Sequence, residues 1–325
     1  NATVMLAAVE EPLTFQEAMK SQQKQQWQMA MDEEIASLAA NKTWTLEEPP
    51  AGIQPIPVKW VYKVKRNSAG DIDRFKARLV AKGFRQQKGV NYEEVFAPVS
   101  KYATFRTLMA VVAAQDLELH QLDIKTAFLY GELEEDVFIQ QPEGYTQGGT
   151  RLACHLQKAI YGLKQAPRVW HETLHRELTS YGFVPSSADP SLYCCHSEGG
   201  SIYLLIYVDD ILIASKDLAS INKVKAKVMT SFEARDLGEA KHYLGIKITR
   251  DRGSRTIKLL RNPISAMRSK HIDVMHHFAR ERVARKEVAF HYVGTDAQVA
   301  DGMTKALPLV QHTYCCKGMG VVKAC

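Results

Sequence analysis

"SIYLLIYVDDILIAS", residues 201–215, sets two adjacent acids, Asp209 and Asp210, in the middle of an apolar run. An ionised carboxylate taken out of water costs several kcal/mol unless a counter-charge or hydrogen bonds offset it. Residues 202–208 and 211–214 are apolar and rich in β-branched side chains, and they read as two buried strands joined at the acid pair. Such a stretch requires a partner for its charges.

Reading outward from it, "NKVKAKVMTSFE" (222–233) has helical spacing and "HYLGIKITR" (242–250) reads as a short strand. Upstream, "QKAIYGLKQAPRVWHETLHRELTSYGF" (157–183) is helical after Pro167, a residue suited to a first turn, and stops at Gly182. The segment 104–145 reads as a helix, a strand through Leu119 and Asp123, and a tight acidic turn. The order β-α-α-β-β-α-β is compatible with a split β-α-β sheet carrying insertions.

Further upstream, "VKWVYKVKRNSAGDIDRFKARLVAKGF" (58–84) alternates with period two on both sides of "NSAG", the pattern of a β-hairpin. Arg74, Lys76 and Arg78 then share one face, and Phe75, Ala77 and Leu79 the other. Such a face can be merely solvated. Here the basic residues continue through Lys82, Arg85 and Lys88, with Trp60, Tyr62, Phe75 and Phe84 interleaved, as a nucleic-acid or nucleotide contact would need. Residues 14–46 put Ala18, Trp27, Met31, Ile35 and Leu38 at helical spacing, a lead-in that "EEPPAG" stops.

The chain has 325 residues, 46% of them hydrophobic, enough for a sizeable core. Its net charge of +6 is too modest to argue by itself for a nucleic-acid partner. None of the six cysteines forms a Cys-x-x-Cys pair, so reduced thiols in an intracellular protein are expected. No apolar run approaches the roughly 20 residues of a membrane-spanning helix, and no basic lead-in of a secretory signal precedes the first apolar residues, so no membrane association is expected. The start at Asn1 suggests a fragment or a piece of a polyprotein.

Two acids at a hairpin tip with a third at a strand end, Asp123, suit a pair of magnesium ions clamping an in-line phosphoryl displacement. "YVDD" (207–210) matches the catalytic box of reverse transcriptases. The segments "NYEEVFAPVS", "QLDIKTAFLYGELEEDVFIQQPEGY", "AIYGLKQAPRVW", "DPSLY" and "DLGEAKHYLGIKI", together with the hairpin, resemble the Ty1/copia class of retrotransposon polymerases in order from about residue 11 to 250.

The resemblance implies an α+β fold, the fingers and palm of a right-hand polymerase, with a split βαβ-like palm sheet and most of the thumb and connection missing. It divides the chain into a leader (1–10), fingers (11–115), a palm with primer grip (116–250), a junction (251–260) and a remnant of the C-terminal end of ribonuclease H (261–325). The implied activity is RNA-directed DNA polymerisation. Asp123, Asp209 and Asp210 would be the catalytic, metal-binding carboxylates, with Asp209 the more direct ligand and Ile124 adding its backbone carbonyl. The metal would be two Mg²⁺ ions, with Mn²⁺ as a substitute.

Lys76 and Arg78 match the positions that hold the incoming triphosphate, and Phe128, five residues after Asp123, the ring that excludes a ribose 2′-hydroxyl. Gln165 falls in the block against nucleotide and template, Tyr207 is a further substrate-binding candidate with simple packing beneath the acid turn as the alternative, and residues 243–248 look like the primer grip. RNA template, DNA or RNA primer and deoxynucleotides would be the partners, with a polyprotein or dimer partner besides. The setting would be cytoplasmic, in a virus-like particle, or nuclear.

In the tail only Asp301 matches a ribonuclease H metal ligand, so that activity is expected to be absent, and His271, His276, His277, Cys315 and Cys316 lack the paired spacing of a zinc site. Two competing readings are a decayed element product that only binds nucleic acid and a metal-dependent phosphohydrolase on another fold. The latter accounts for the acids but not for Phe128 or the basic hairpin.

Overall fold

A computed structural model describes residues 10–67, 70–197 and 200–261, with Val310, Thr313 and Tyr314. The chain divides into one unit ending at Leu260 and a second beginning at Arg261. The fold described below is that of the first. The tail readings, including Asp301 and the histidines and cysteines beyond residue 261, lie outside the described residues.

The first unit begins with two helices, α1 (Phe15–Lys20) and α2 (Lys24–Ala40), and a strand β1 (Trp44–Glu47). The hairpin follows as β2 (Val58–Arg66) and β3 (Ile72–Ala81), then α3 (Tyr102–Ala114), β4 (Glu118–Ile124), β5 (Glu132–Ile139) and β6 (Ala153–Lys158). Next come α4 (Ala166–Ser180), β7 (Val184–Pro185), β8 (Leu192–Ser197), β9 (Gly200–Tyr207) and β10 (Asp210–Ser215). The unit closes with α5 (Leu218–Ser231), β11 (Ala234–Glu239), β12 (His242–Tyr243), β13 (Ile246–Asp251) and β14 (Thr256–Arg261). The fold is α+β, helices with antiparallel sheets, and among the described residues no helix is long and apolar enough to cross a membrane.

The central sheet runs β11-β4-β10-β9-β8-β7. Its first four strands, with α4 between β4 and β9 and α5 between β10 and β11, have the connectivity of a split β-α-β unit. The apolar run at 201–215 is explained by cover on both faces. Leu122, Ile124, Leu204, Ile206, Ile211 and Ile213 pack against α4 and α5. Leu119, Leu205, Leu212 and Ala214 pack on the other side against α3 and the β12–β13 hairpin. Leu204, Leu205, Leu212 and Ile213 are wholly buried, and truncating any one to Ala would cost about 2–5 kcal/mol.

A second apolar cluster joins α1 and α2 to the β2–β3 hairpin and to the β1-β6-β5 sheet. Here the sequence reading needs correction in several places. The lead-in is two helices broken at Ser21–Gln23, and Trp44–Glu47 is a strand, because the Thr43 carbonyl accepts from the Gln157 N–H at 2.8 Å and brings this segment alongside β6. The acidic stretch after Asp123 is not a turn: a 3-10 turn at Ala127–Tyr130 leads into β5, where Glu132, Glu134 and Asp136 are exposed, Glu135 turns in toward Arg168, and Val137 and Ile139 are buried. "HYLGIKITR" reverses at Leu244 and Gly245, both at positive φ, so it is a hairpin and not one strand. Trp60 and Tyr62 are core residues and Phe75 packs edge-on against Trp27, whereas Phe84 alone of the four interleaved rings is exposed.

Within this second cluster the end of β3 meets the loop before α4. Gly83 and Gly162 face each other there, and a Cβ on Gly162 would stand 2.1 Å from the Ala81 carbonyl oxygen, at a φ of +92° that side chains rarely adopt. Gly162→Ala should therefore lower stability by about 3 kcal/mol or more, read as a fall in the urea midpoint. A change below about 1 kcal/mol would contradict the close approach.

Candidate active site

Tyr207 and Asp210 pair across the β9–β10 hairpin, leaving Val208 and Asp209 as its turn. Val208 has a φ of +52°, a costly conformation for a β-branched residue, and so must be held by its surroundings. The Trp170 indole N–H, from α4, donates to the Val208 carbonyl at 2.7 Å, and the Ile124 N–H donates to the Asp209 carbonyl at 2.8 Å. The turn is thereby tied to α4 on one side and to β4 on the other.

Asp210 pairs with Asp123 across the β10–β4 ladder, so both side chains leave the same face of the sheet. Burial raises the Asp123 carboxyl above the ordinary aspartate range, and the Asp209 charge raises it further, while Lys76, Arg235 and Arg78 pull the other way. The Asp210 carboxylate accepts from the Gln121 amide at 2.8 Å. Beside it, Tyr243 is buried and stacks on Phe105 at 5.2 Å, its phenol pushed up by burial and then by the Asp210 charge. The segment read as a primer grip thus lies against the acids.

Among the described residues, no group of three or more His, Cys, Asp or Glu side chains is gathered closely enough to hold a metal ion by itself. The arrangement is an open one, Asp123 facing Asp209 with Asp210 drawn toward Gln121. A half-buried pair of mutually repelling carboxylates fits Mg²⁺, which takes one or two carboxylates and fills its remaining positions from water and phosphate.

Lys76 and Arg78, some 45 positions before Asp123, are brought near enough for their charges to act on it. Burial lowers the Lys76 ammonium, the Arg78 and Arg74 charges lower it further, and Glu34 opposes them. The Arg78 guanidinium lies 4.9 Å from the ring centroid of Tyr161, and Phe128 meets the same ring edge-on at 4.9 Å. Tyr161, whose phenol is raised chiefly by burial, feels the Asp209 charge as well. Tyr207 is buried beneath the turn. Gln165 is wholly buried, its side chain donating to the Asn91 carbonyl at 2.8 Å and accepting from Gln86 at 2.9 Å, and it makes no side-chain cap on α4.

Sequence reasoning passed over Tyr161, Trp170, Gln121 and Arg235. The first two stand inside "AIYGLKQAPRVW", a block singled out without assigning them a role. Gln121 lies two residues before Asp123, on the same strand face. Arg235 had no legible signal, because β11, where it pairs with Asp123, was not read as a strand.

Residues 41–271 match the family of reverse transcriptases (RNA-dependent DNA polymerases). The chain belongs to this family. It is 43% identical over 258 residues to the retrovirus-related Pol polyprotein from transposon TNT 1-94 of Nicotiana tabacum, covering 79% of this chain and 19% of that protein. Against the corresponding polyprotein from transposon RE1 of Arabidopsis thaliana the identity is 39%, over 76% of this chain and 17% of the relative. The Ty1-OR Gag-Pol polyprotein of Saccharomyces cerevisiae is 25% identical over 75% of this chain and 14% of its own length. The resemblance to Ty1/copia reverse transcriptases is therefore borne out, and the chain spans less than a fifth of these relatives.

Because the folded state raises the Asp123 carboxyl, an ionised Asp123 destabilises the metal-free protein above that raised value, and the penalty fades as pH falls toward the unfolded one. Asp123→Asn should accordingly melt higher than the parent at neutral pH without metal, with the gap closing in acid. Added Mg²⁺ should stabilise the parent and not the variant. Equal melting temperatures at all pH values would show that neither burial nor the Asp209 charge disfavours an ionised Asp123 in the folded chain.

Proposed function

We propose that this reverse transcriptase domain carries out RNA-directed DNA polymerisation by two-metal nucleotidyl transfer. The observation that carries the reading is the meeting of two unlike charge sets from separate sheets: Asp123 feels Asp209 from its own sheet and Lys76 and Arg78 from the β2–β3 hairpin. Opposite charges at that spacing suit a substrate that is itself a polyanion carrying metal. The hairpin and the helices behind it would be the fingers, and the central sheet with β12–β13 the palm.

When bound, a pair of divalent ions supplies positive charge at the attacking and leaving oxygens of an in-line displacement. Asp123 and Asp209 would hold them, with the Ile124 carbonyl as a further ligand. Asp210, braced by Gln121, adds negative charge at the same face. Lys76 offers the triphosphate a point charge and Arg78 a planar fork, and the Tyr161 ring beneath Arg78 fixes the plane of that fork. The same ring props Phe128, so the gate against a 2′-hydroxyl is stiffened from behind. Gln165, through Gln86 and Asn91, would set the loop that faces the template. An RNA template, a DNA or RNA primer and deoxynucleotides are the partners in this reading, and a cytoplasmic, particle-associated setting belongs to the same proposal.

Primer extension on an RNA template with Mg²⁺ and deoxynucleotides tests the chemistry. Extension by the chain and its loss in Asp209→Asn is the expected pair of results, and extension that survives Asp209→Asn would refute the site. Phe128→Ala should raise ribonucleotide incorporation relative to deoxynucleotide by roughly 10- to 200-fold, the worth of one steric contact. Unchanged sugar selectivity would remove Phe128 from the gate.

A further inference from the structure

We propose that Glu34, on α2, is a positioning residue for the triphosphate-binding pair, acting on Lys76 and Arg78 through the backbone of β3. The inference rests on the reading of that pair given above. Helix α2 looks from its sequence like packing alone. Its place in the fold says more, because among the described residues β2 and β3 form a two-stranded sheet, and the outer edge of β3 there presents N–H groups with no strand to receive them.

Two of those groups find acceptors elsewhere. The Leu79 N–H donates to a carboxylate oxygen of Glu34 at 3.1 Å, and the Ala81 N–H donates to the Tyr161 carbonyl at 2.8 Å. Leu79 and Ala81 are two residues apart, so both bonds leave the same edge of the strand. Arg78 immediately precedes the first of these bonds, and its guanidinium lies over the ring of the residue that makes the second.

Glu34 also lies close enough to Lys76 and Arg78 for their charges to act on it. Burial raises its carboxyl, while the Leu79 N–H, Arg78 and Lys76 favour the ionised form. A carboxylate accepting a backbone N–H makes a bond about twice as strong as a neutral pair. The helix that carries Glu34 is itself anchored, since Trp27 meets Phe75 at 4.6 Å and Tyr62 at 5.2 Å. Glu34 thus sets where β3 lies relative to α2, and with it the distance of Lys76 and Arg78 from Asp123. A displacement of about 1 Å at such a site can cost roughly 100-fold in rate.

The test is equilibrium binding of dTTP, with Mg²⁺, to the full chain on an RNA template whose DNA primer is dideoxy-terminated. Glu34→Ala should weaken dTTP binding roughly tenfold while primer–template affinity stays within about twofold. Glu34→Gln, whose amide oxygen can accept from the Leu79 N–H, should restore dTTP binding to within about threefold of the parent. Lys76→Ala and Arg78→Ala are the reference variants. If they leave dTTP binding unchanged, or the parent binds none, the reading of the pair fails and takes this inference with it. If they weaken it and Glu34→Ala does not, the inference alone fails. Equal loss in Glu34→Gln and Glu34→Ala would also overturn it, since the backbone bond would not be the cause. Should Glu34→Ala fail to melt cooperatively, Glu34→Met keeps the bulk without the acceptor. If that too fails to fold, Glu34 serves stability and the proposal is wrong.

Discussion

Asp123 and Asp209 repel each other, and the pairing of β4 with β10 obliges them to stay together. The Ile124 N–H bonded to the Asp209 carbonyl fixes that approach, and the ladder below it is clamped between apolar layers. Most of the surrounding construction can be understood as what is needed to keep two like charges close. Folding free energy from the buried leucines and isoleucines of the central strands opposes the repulsion, and the cations of β3 reduce it. The site is therefore unfavourable by itself and stable only as part of the sheet, a condition that suits the metal and polyphosphate of the proposed function.

The same logic applies to the backbone. Val208 occupies a region of φ that its branched side chain disfavours, and it stays there because Trp170 holds its carbonyl. Gly83 and Gly162 let the end of β3 approach the loop before α4 more closely than any side chain would allow. Phe128 packs into both apolar clusters at once, so the ring assigned to sugar discrimination is also a joint between the hairpin half and the central sheet. In the proposed function, positions that would serve the substrate and positions that join the layers coincide, and loosening either would disturb the other.

Much of the site could be read from residues. The hairpin, the strands around the acid pair and the helix after Pro167 all stand where their periodicity placed them, because each is amphipathic or apolar in a way only one element satisfies. Asp123, Lys76 and Arg78 were legible for the same reason. Other elements were not. Residues 132–136 alternate acid and apolar too weakly to signal a strand until β6 lies alongside. Residues 44–47 are drawn out of helix by hydrogen bonds to a strand more than a hundred positions away. The bend at Leu244 left no mark, since alternation reads alike on either side of it. Tyr161 and Glu34 carry no pattern at all; their roles arise from what they touch.

By itself the sequence determined the local elements and the identity of the charged groups, since periodicity and residue type are properties of neighbours along the chain. It also determined membership of the reverse transcriptase family, through blocks kept in order across some 230 residues. Only the tertiary structure decided which charges meet. Lys76 acts on Asp123, Tyr161 lies beneath Arg78, Glu34 holds β3, and Arg235 pairs opposite Asp123. Each of these joins parts of the chain far apart in sequence, and Coulomb and hydrogen-bond energies depend on separation in space, which strand order and burial alone set.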